Sequence, residues 1–154
     1  MWPIDPDDFV SAVHPPATPA QGEAWYFLVM RNQIGCVVER GVPRPVAADE
    51  FRWLDVEERA RHYLGRYRGH DCYALDCRGK LPEGYAAVDL RAWLGRVEPP
   101  LFYLAGRALQ VIEWHNTHQF CGRCGTAMAD HGQDRAKVCP ECRLVNYPRL
   151  SPSI

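Results

Sequence analysis

The 154 residues predict an α+β fold: a small mixed N-terminal domain, then a helix, then a four-cysteine zinc ribbon. Three observations carry this. Short apolar runs bounded by turn residues recur through the first hundred residues. A proline-initiated stretch with apolar residues at helical spacing follows them. Two C-x-x-C pairs come after that stretch. Hydrophobic residues make up 47% and charged residues 24%, the balance of a folded chain rather than a disordered one.

The elements follow in order. Five prolines (Pro3, Pro6, Pro15, Pro16, Pro19) crowd the first twenty residues. Each removes a backbone donor and fixes φ, so this stretch reads as an irregular arm. Ala24 to Met30 (AWYFLVM) is aromatic and apolar and reads as a buried strand. Ile34 to Glu39 is its neighbour across the turn Arg31-Asn32-Gln33, and Pro43 and Pro45 end that pair. Arg61 to Tyr67 and Asp71 to Asp76 form a second pair through Gly69. Val88 adds a short edge. Asp89 is placed to cap a helix over Leu90 to Val97. Pro99 and Pro100 suit the first turn of a longer helix. Its apolar positions Leu101, Leu104, Ala105, Ala108, Leu109 and Ile112 share one face, and it is expected to end near His118.

The cysteines carry the sharp chemistry. Cys121-Gly-Arg-Cys124 and Cys139-Pro-Glu-Cys142 are separated by fourteen residues. A C-x-x-C turn points both sulfurs into one concavity, and two such turns on facing hairpins supply four sulfurs at tetrahedral corners. Zinc prefers that arrangement, with bonds of about 2.3 Å. Gly125 follows the first knuckle, where a positive φ is needed. Asp130-His131-Gly132 offers a turn, and Ala136-Lys137-Val138 leads into the second knuckle as a strand. Four thiolates leave no open position for water, so the ion would hold a fold rather than perform catalysis. Iron in a rubredoxin-like or iron–sulfur site, two disulfides, and a thioredoxin-like redox pair are the competing readings. Cys36, Cys72 and Cys77 read as small core residues, with Cys72 and Cys77 on opposite faces of a strand. His115 and His118 belong to the helix surface or its C-terminal dipole rather than to the metal. Glu57 and Glu58, followed by Arg59 and Arg61, read as a solvated charged face.

Other function classes are bounded by what is missing. The net charge of -1 makes no global electrostatic case for a nucleic-acid or membrane partner. No apolar run approaches the roughly 18 residues of a membrane span. The opening Met-Trp-Pro-Ile-Asp-Pro-Asp-Asp lacks the basic and apolar regions of a secretory signal, so a cytoplasmic location with reduced thiols is expected. There is no G-x-S-x-G, P-loop, G-x-G-x-x-G or H-E-x-x-H.

From Leu104 to Pro152 the sequence reads LAGRALQVIEWHNTHQFCGRCGTAM, then VCPECRLVNYPRLSP. It resembles the NADH pyrophosphatases of the Nudix hydrolase superfamily. The shared features are a helix carrying Ala-Leu and, after four intervening residues, Trp-His ahead of F-C-G-x-C-G, the fourteen-residue gap, and C-x-x-C-x-x-x-x-Y-P. The resemblance implies three parts: a divergent N-terminal domain, a zinc ribbon and a catalytic Nudix domain. Residues 1–98 would then be the first, 99–118 a connecting helix, 119–148 the ribbon, and 149–154 a linker or first strand entering the third. The Nudix box, G-x5-E-x7-R-E-x-x-E-E-x-G, does not occur in these residues. Its glutamates hold the Mg or Mn ions that polarise the pyrophosphate, so this portion is expected to be inactive alone. The resemblance implies a homodimer whose parent reaction cleaves NAD(H) to NMN(H) and AMP and extends to NAD-capped RNA. It assigns Tyr147 a nucleotide contact, with domain-junction packing as the alternative. It assigns Arg91 a substrate contact, with a surface helix arginine as the alternative. Arg143 and Arg149 could attract phosphate but form no dense patch. A stand-alone zinc-ribbon module binding nucleic acid or protein is the competing function.

Overall fold

In a computed structural model residues 8–149 are described. The chain orders its elements as β1 (Phe9–Ser11), β2 (Trp25–Met30), β3 (Gln33–Glu39), β4 (Val42–Arg44), β5 (Val46–Ala47), α1 (Ala48–Phe51), β6 (Val56–Tyr67), β7 (His70–Gly79) and β8 (Tyr85–Val88). A 3-10 turn (Leu90–Trp93), α2 (Pro99–Thr117), β9 (Ala129–Asp130), β10 (Lys137–Val138) and β11 (Val145–Asn146) follow. The fold is α+β, as expected.

β1 to β8 make one mixed sheet, with β1-β6-β7-β2-β3-β4 in sequence, β5 on β2 and β8 on β3. Among the described strands only β2 and β7 run parallel. Both hairpins turn where expected. The second uses Arg68 and Gly69, both at positive φ, which matches the twist of the flanking strands. β6 carries two register shifts, near Glu58 and Tyr63. At the second, Gly65 (φ +139) sits where a Cβ would lie 2.2 Å from the Val10 carbonyl oxygen. Only glycine lets β1 approach there.

The alternation of β2 and β7 divides the apolar side chains between two faces. Phe27, Val29, Cys72 and Ala74 face α2, which contributes Leu104, Ala105, Ala108, Val111 and Ile112. Tyr26, Leu28, Leu75 and Cys77 face the other side, under Phe51 of α1. Cys72 and Cys77 therefore occupy opposite faces, and Cys36 is buried with Cys72. Burial pushes their thiols up, to about 11 for Cys36 and about 12 for Cys72 and Cys77. They are inert core residues at neutral pH.

Four expectations are corrected. Part of the proline-rich arm is ordered as β1; Pro3 and Pro6 lie outside the described residues. Pro43 does not end a strand but lies within β4, which pairs with β3 alone, so its missing N–H costs no ladder bond. The helix expected over Leu90 to Val97 is a single 3-10 turn. Asp89 makes no side-chain cap bond, and Gly95 at φ +71 ends the turn's continuation. The strand expected from Arg61 begins earlier, at Val56, and carries the solvated Glu57 and Glu58. Of the expected 149–154 linker or strand, residues 150–154 lie outside the described residues.

Candidate metal centre and its junction with the sheet

Two knuckles of nearly identical hydrogen bonding build the ribbon. In the first, the Cys121 amide donates to the Thr126 carbonyl (2.7 Å) and the Gly125 amide to the Cys121 carbonyl (2.9 Å). In the second, the Cys139 amide donates to the Leu144 carbonyl (2.8 Å) and the Arg143 amide to the Cys139 carbonyl (3.0 Å). Each turn closes through a residue in the left-handed region, Gly125 (φ +80) or Arg143 (φ +65). The short sheet β9-β10-β11 joins the knuckles.

The four sulfurs of Cys121, Cys124, Cys139 and Cys142 lie within 4.8 Å of one another. The Cys121–Cys142 and Cys124–Cys139 separations are both 3.5 Å. Bonds of about 2.3 Å to a tetrahedral ion set sulfurs about 3.8 Å apart, so the cluster is sized for a four-thiolate ion. It is not sized for disulfides, whose bond is about 2.05 Å, and all seven cysteines are free. Backbone amides also favour thiolate charge. The amides of Cys124 and Arg123 hold the Cys121 thiol below its ordinary range, the latter from 3.3 Å. Thr126, with its hydroxyl 3.3 Å from the Cys124 sulfur, helps bring that thiol down to about 6. Cys121 and Cys139 are buried, whereas Cys124 is exposed. The donor set and closed geometry suit a structural ion.

The ribbon is docked on the sheet domain. The Trp114 indole N–H on α2 donates to Asn146 Oδ1 at 3.0 Å. Arg135 reaches from the β9–β10 loop to the carbonyls of Ala12 (3.1 Å) and Tyr63 (2.5 Å). Lys137 is 3% exposed, pairs with Asp130 at 2.9 Å, and lies 6.0 Å from the centre of the Trp114 ring.

His118 ends α2 with Nδ1 2.9 Å from the Trp114 carbonyl, as a residue of the helix terminus. His115 departs from the surface reading: it is half-buried, with Nδ1 3.0 Å from His62 Nε2. Burial, then the neighbouring His115, brings His62 down to about 4. Sequence reasoning missed this pair because 53 residues separate its members and His62 lies in no motif. Tyr147 is 54% exposed, and its hydroxyl donates to Asp134 at 3.2 Å. Arg91 is exposed on the 3-10 turn and makes no side-chain hydrogen bond or ion pair among the described residues. It shares no described cavity with Tyr147. Among the described residues no helix is long and apolar enough to cross a membrane.

Comparison with known proteins gives matches to two family models. One, an NADH pyrophosphatase-like rudimentary NUDIX domain, matches residues 23–114. The other, the NADH pyrophosphatase zinc ribbon domain, matches residues 116–147. The NAD-capped RNA hydrolase NudC of Deinococcus radiodurans is 35% identical over 149 residues, which cover 97% of this chain and 49% of that protein. The protein of the same name from Stutzerimonas stutzeri is 34% identical over 138 residues, covering 88% and 49%. That of Pseudomonas aeruginosa is 36% identical over 107 residues, covering 66% and 38%. The chain spans about half the length, or less, of these curated relatives.

Proposed function

Because the chain belongs to the NADH pyrophosphatase family, uniting its rudimentary Nudix-like domain with its zinc ribbon, we propose that these residues are the non-catalytic portion of an NAD(H) diphosphatase. The complete enzyme would cleave NAD(H) to NMN(H) and AMP and remove NAD caps from RNA. This portion would serve dimerisation and substrate contact, in the cytoplasm, with Mg or Mn held by catalytic residues outside it. Residues 1–98 and the helix 99–118 would form the platform, 119–148 the ribbon, and 149–154 the passage toward the catalytic part. Cys121, Cys124, Cys139 and Cys142 would hold zinc, which supplies a closed structural cross-link and no reacting water. Tyr147 would contact the nucleotide and Arg91 the substrate.

The observation that carries this reading is the succession of both family domains, over residues 23–114 and 116–147, with four sulfurs gathered in the second. Tyr147 supports it in a second way. Its ring is exposed, and its hydroxyl is anchored to Asp134, which presents an aromatic face at modest conformational cost. The test combines three measurements on the purified chain. Elemental analysis should give one zinc per chain. Incubation with NADH and Mg²⁺ or Mn²⁺ should give no NMNH, while joining a Nudix domain after Ile154 should give turnover. Sedimentation should give a dimer. Hydrolysis by the chain alone would refute the non-catalytic role.

A further inference from the structure

Beside Tyr147 lies a cavity of about 400 Å³, lined by Ser11, Arg107, Val111, Arg135, Tyr147 and Pro148 among others. Two guanidinium groups line it, and neither makes an ion pair among the described residues. Arg107, from the middle of α2, makes no ion pair or side-chain hydrogen bond among the described residues, and its Nε is buried with no acceptor. Arg135 spends its Nη2 on two main-chain carbonyls and has no ion pair among the described residues. Burial, then the charge of Arg107, depresses its pKa to about 10. Asp134 also lines the cavity, but its Oδ2 takes the Tyr147 hydroxyl at 3.2 Å. A half-buried guanidinium with unused donors is costly unless something negative fills the space before it. Two of them, each a planar fork, match the oxygens of a phosphoryl group.

We propose that Arg107 and Arg135 form a phosphate subsite adjoining Tyr147, which takes a phosphoryl group of the bound nucleotide or RNA chain. The proposal rests on the reading of Tyr147 as the nucleotide contact and adds what it lacks, the groups that answer the phosphate charge. Neither arginine lies in a recognisable motif. They are 28 residues apart, on the helix and the ribbon, so the subsite exists only while the ribbon is docked.

The experiment is titration of the complete zinc-loaded chain with AMP, adenosine and inorganic phosphate, followed by NMR shifts or calorimetry. It is run on the wild type, Arg107→Gln, Arg135→Gln and Tyr147→Leu. The expected result is AMP affinity lowered about tenfold by either arginine change, the loss of one charge-assisted hydrogen bond, with adenosine affinity unmoved. AMP should also bind more tightly than inorganic phosphate. Arg135→Gln also removes the carbonyl contacts, so Arg107→Gln, which breaks no bond, is the decisive variant. Without ligand it should melt a few degrees higher than the wild type, because it removes an uncompensated charge. Absence of AMP binding to the wild type, AMP affinity unchanged from the wild type in both arginine variants, or phosphate bound as tightly as AMP overturns the subsite. Loss of AMP affinity in Tyr147→Leu alone removes the subsite and leaves the nucleotide contact. Loss in the arginine variants alone does the reverse.

Discussion

The sheet domain and the ribbon are held by unlike forces. In the sheet domain Phe27, Leu28, Ile34, Leu64, Leu75, Trp93 and Leu104 are all shielded from water, and each such side chain contributes roughly 1.5–3 kcal/mol. Within residues 119–148 the buried residues are Cys121, Ala136, Lys137 and Cys139. Two of those are sulfurs of the metal cluster and one is a charged lysine. Its strands are two residues each. Apolar burial cannot hold such a piece, so its free energy of folding must come from the ion and from docking on α2. The comparison teaches where each half is vulnerable.

Metal removal should produce the largest effect and separate the halves. Chelation should unfold residues 119–148, withdrawing a metal-binding free energy of about 10 kcal/mol or more, while amide signals of β2, β3, β6 and β7 persist. Cys124→Ser should do the same in weaker form. A fully loaded ribbon after Cys124→Ser, with melting unchanged, would end the four-ligand account. The converse change, Leu104→Ala in the α2 face of the core, should cost the sheet domain about 2–5 kcal/mol in chemical denaturation. Its zinc content should stay at the wild-type value. Metal loss on that change would mean that the halves are one cooperative unit.

Acid should act at the seam between them. His62 titrates near 4 in the folded chain against about 6.5 unfolded. Its folded form is therefore stabilised when neutral. That contribution is complete above the unfolded value and is lost as pH falls from about 6.5 to 4. His115 is shifted in the same direction by burial and then by Lys137. The wild type should lose on the order of 2–3 kcal/mol across that window relative to His62→Gln. Because both proteins carry the same cysteines, zinc release cancels in the difference. Parallel pH curves for the two would show that the pair does not couple to stability.

The contrast also explains what could be read from residues alone. β2, β3 and most of β7 were legible as short runs rich in apolar residues, and α2 because Pro99 and a 3.6-residue apolar stripe mark it, whereas the charged first half of β6, Val56 to Ala60, carried no strand signal. The knuckles were legible because metal ligation fixes both residue type and spacing. The junction was not. Trp114–Asn146, His62–His115 and Arg135–Tyr63 join residues 32, 53 and 72 positions apart. Each partner taken singly is an ordinary helix, strand or loop residue, and only the docking of one half on the other makes them a site. The Asp89 misreading has a similar cause. A capping residue signals where a helix can begin, but Gly95 and the two prolines decide that this one stops after a turn.

The smallest effect tests the symmetry inside the ribbon itself. Gly125 and Arg143 occupy equivalent places, each donating to the carbonyl of the first cysteine of its knuckle from a left-handed conformation. Glycine adopts that conformation freely, and a side chain pays roughly 1 kcal/mol for it. A Cβ at Gly125 would meet nothing within 4 Å, so its requirement is one of conformation and not of space. Arg143→Gly should then relieve the second knuckle, and Gly125→Ala should strain the first by a similar amount. Since ribbon folding and metal binding are one equilibrium, both appear as apparent zinc affinity. Competition against a chromophoric chelator should give a several-fold tightening for Arg143→Gly and a several-fold weakening for Gly125→Ala. Weaker binding by Arg143→Gly would mean that the arginine side chain contributes more to the loaded ribbon than its backbone strain removes, and the two knuckles would not be energetically equivalent.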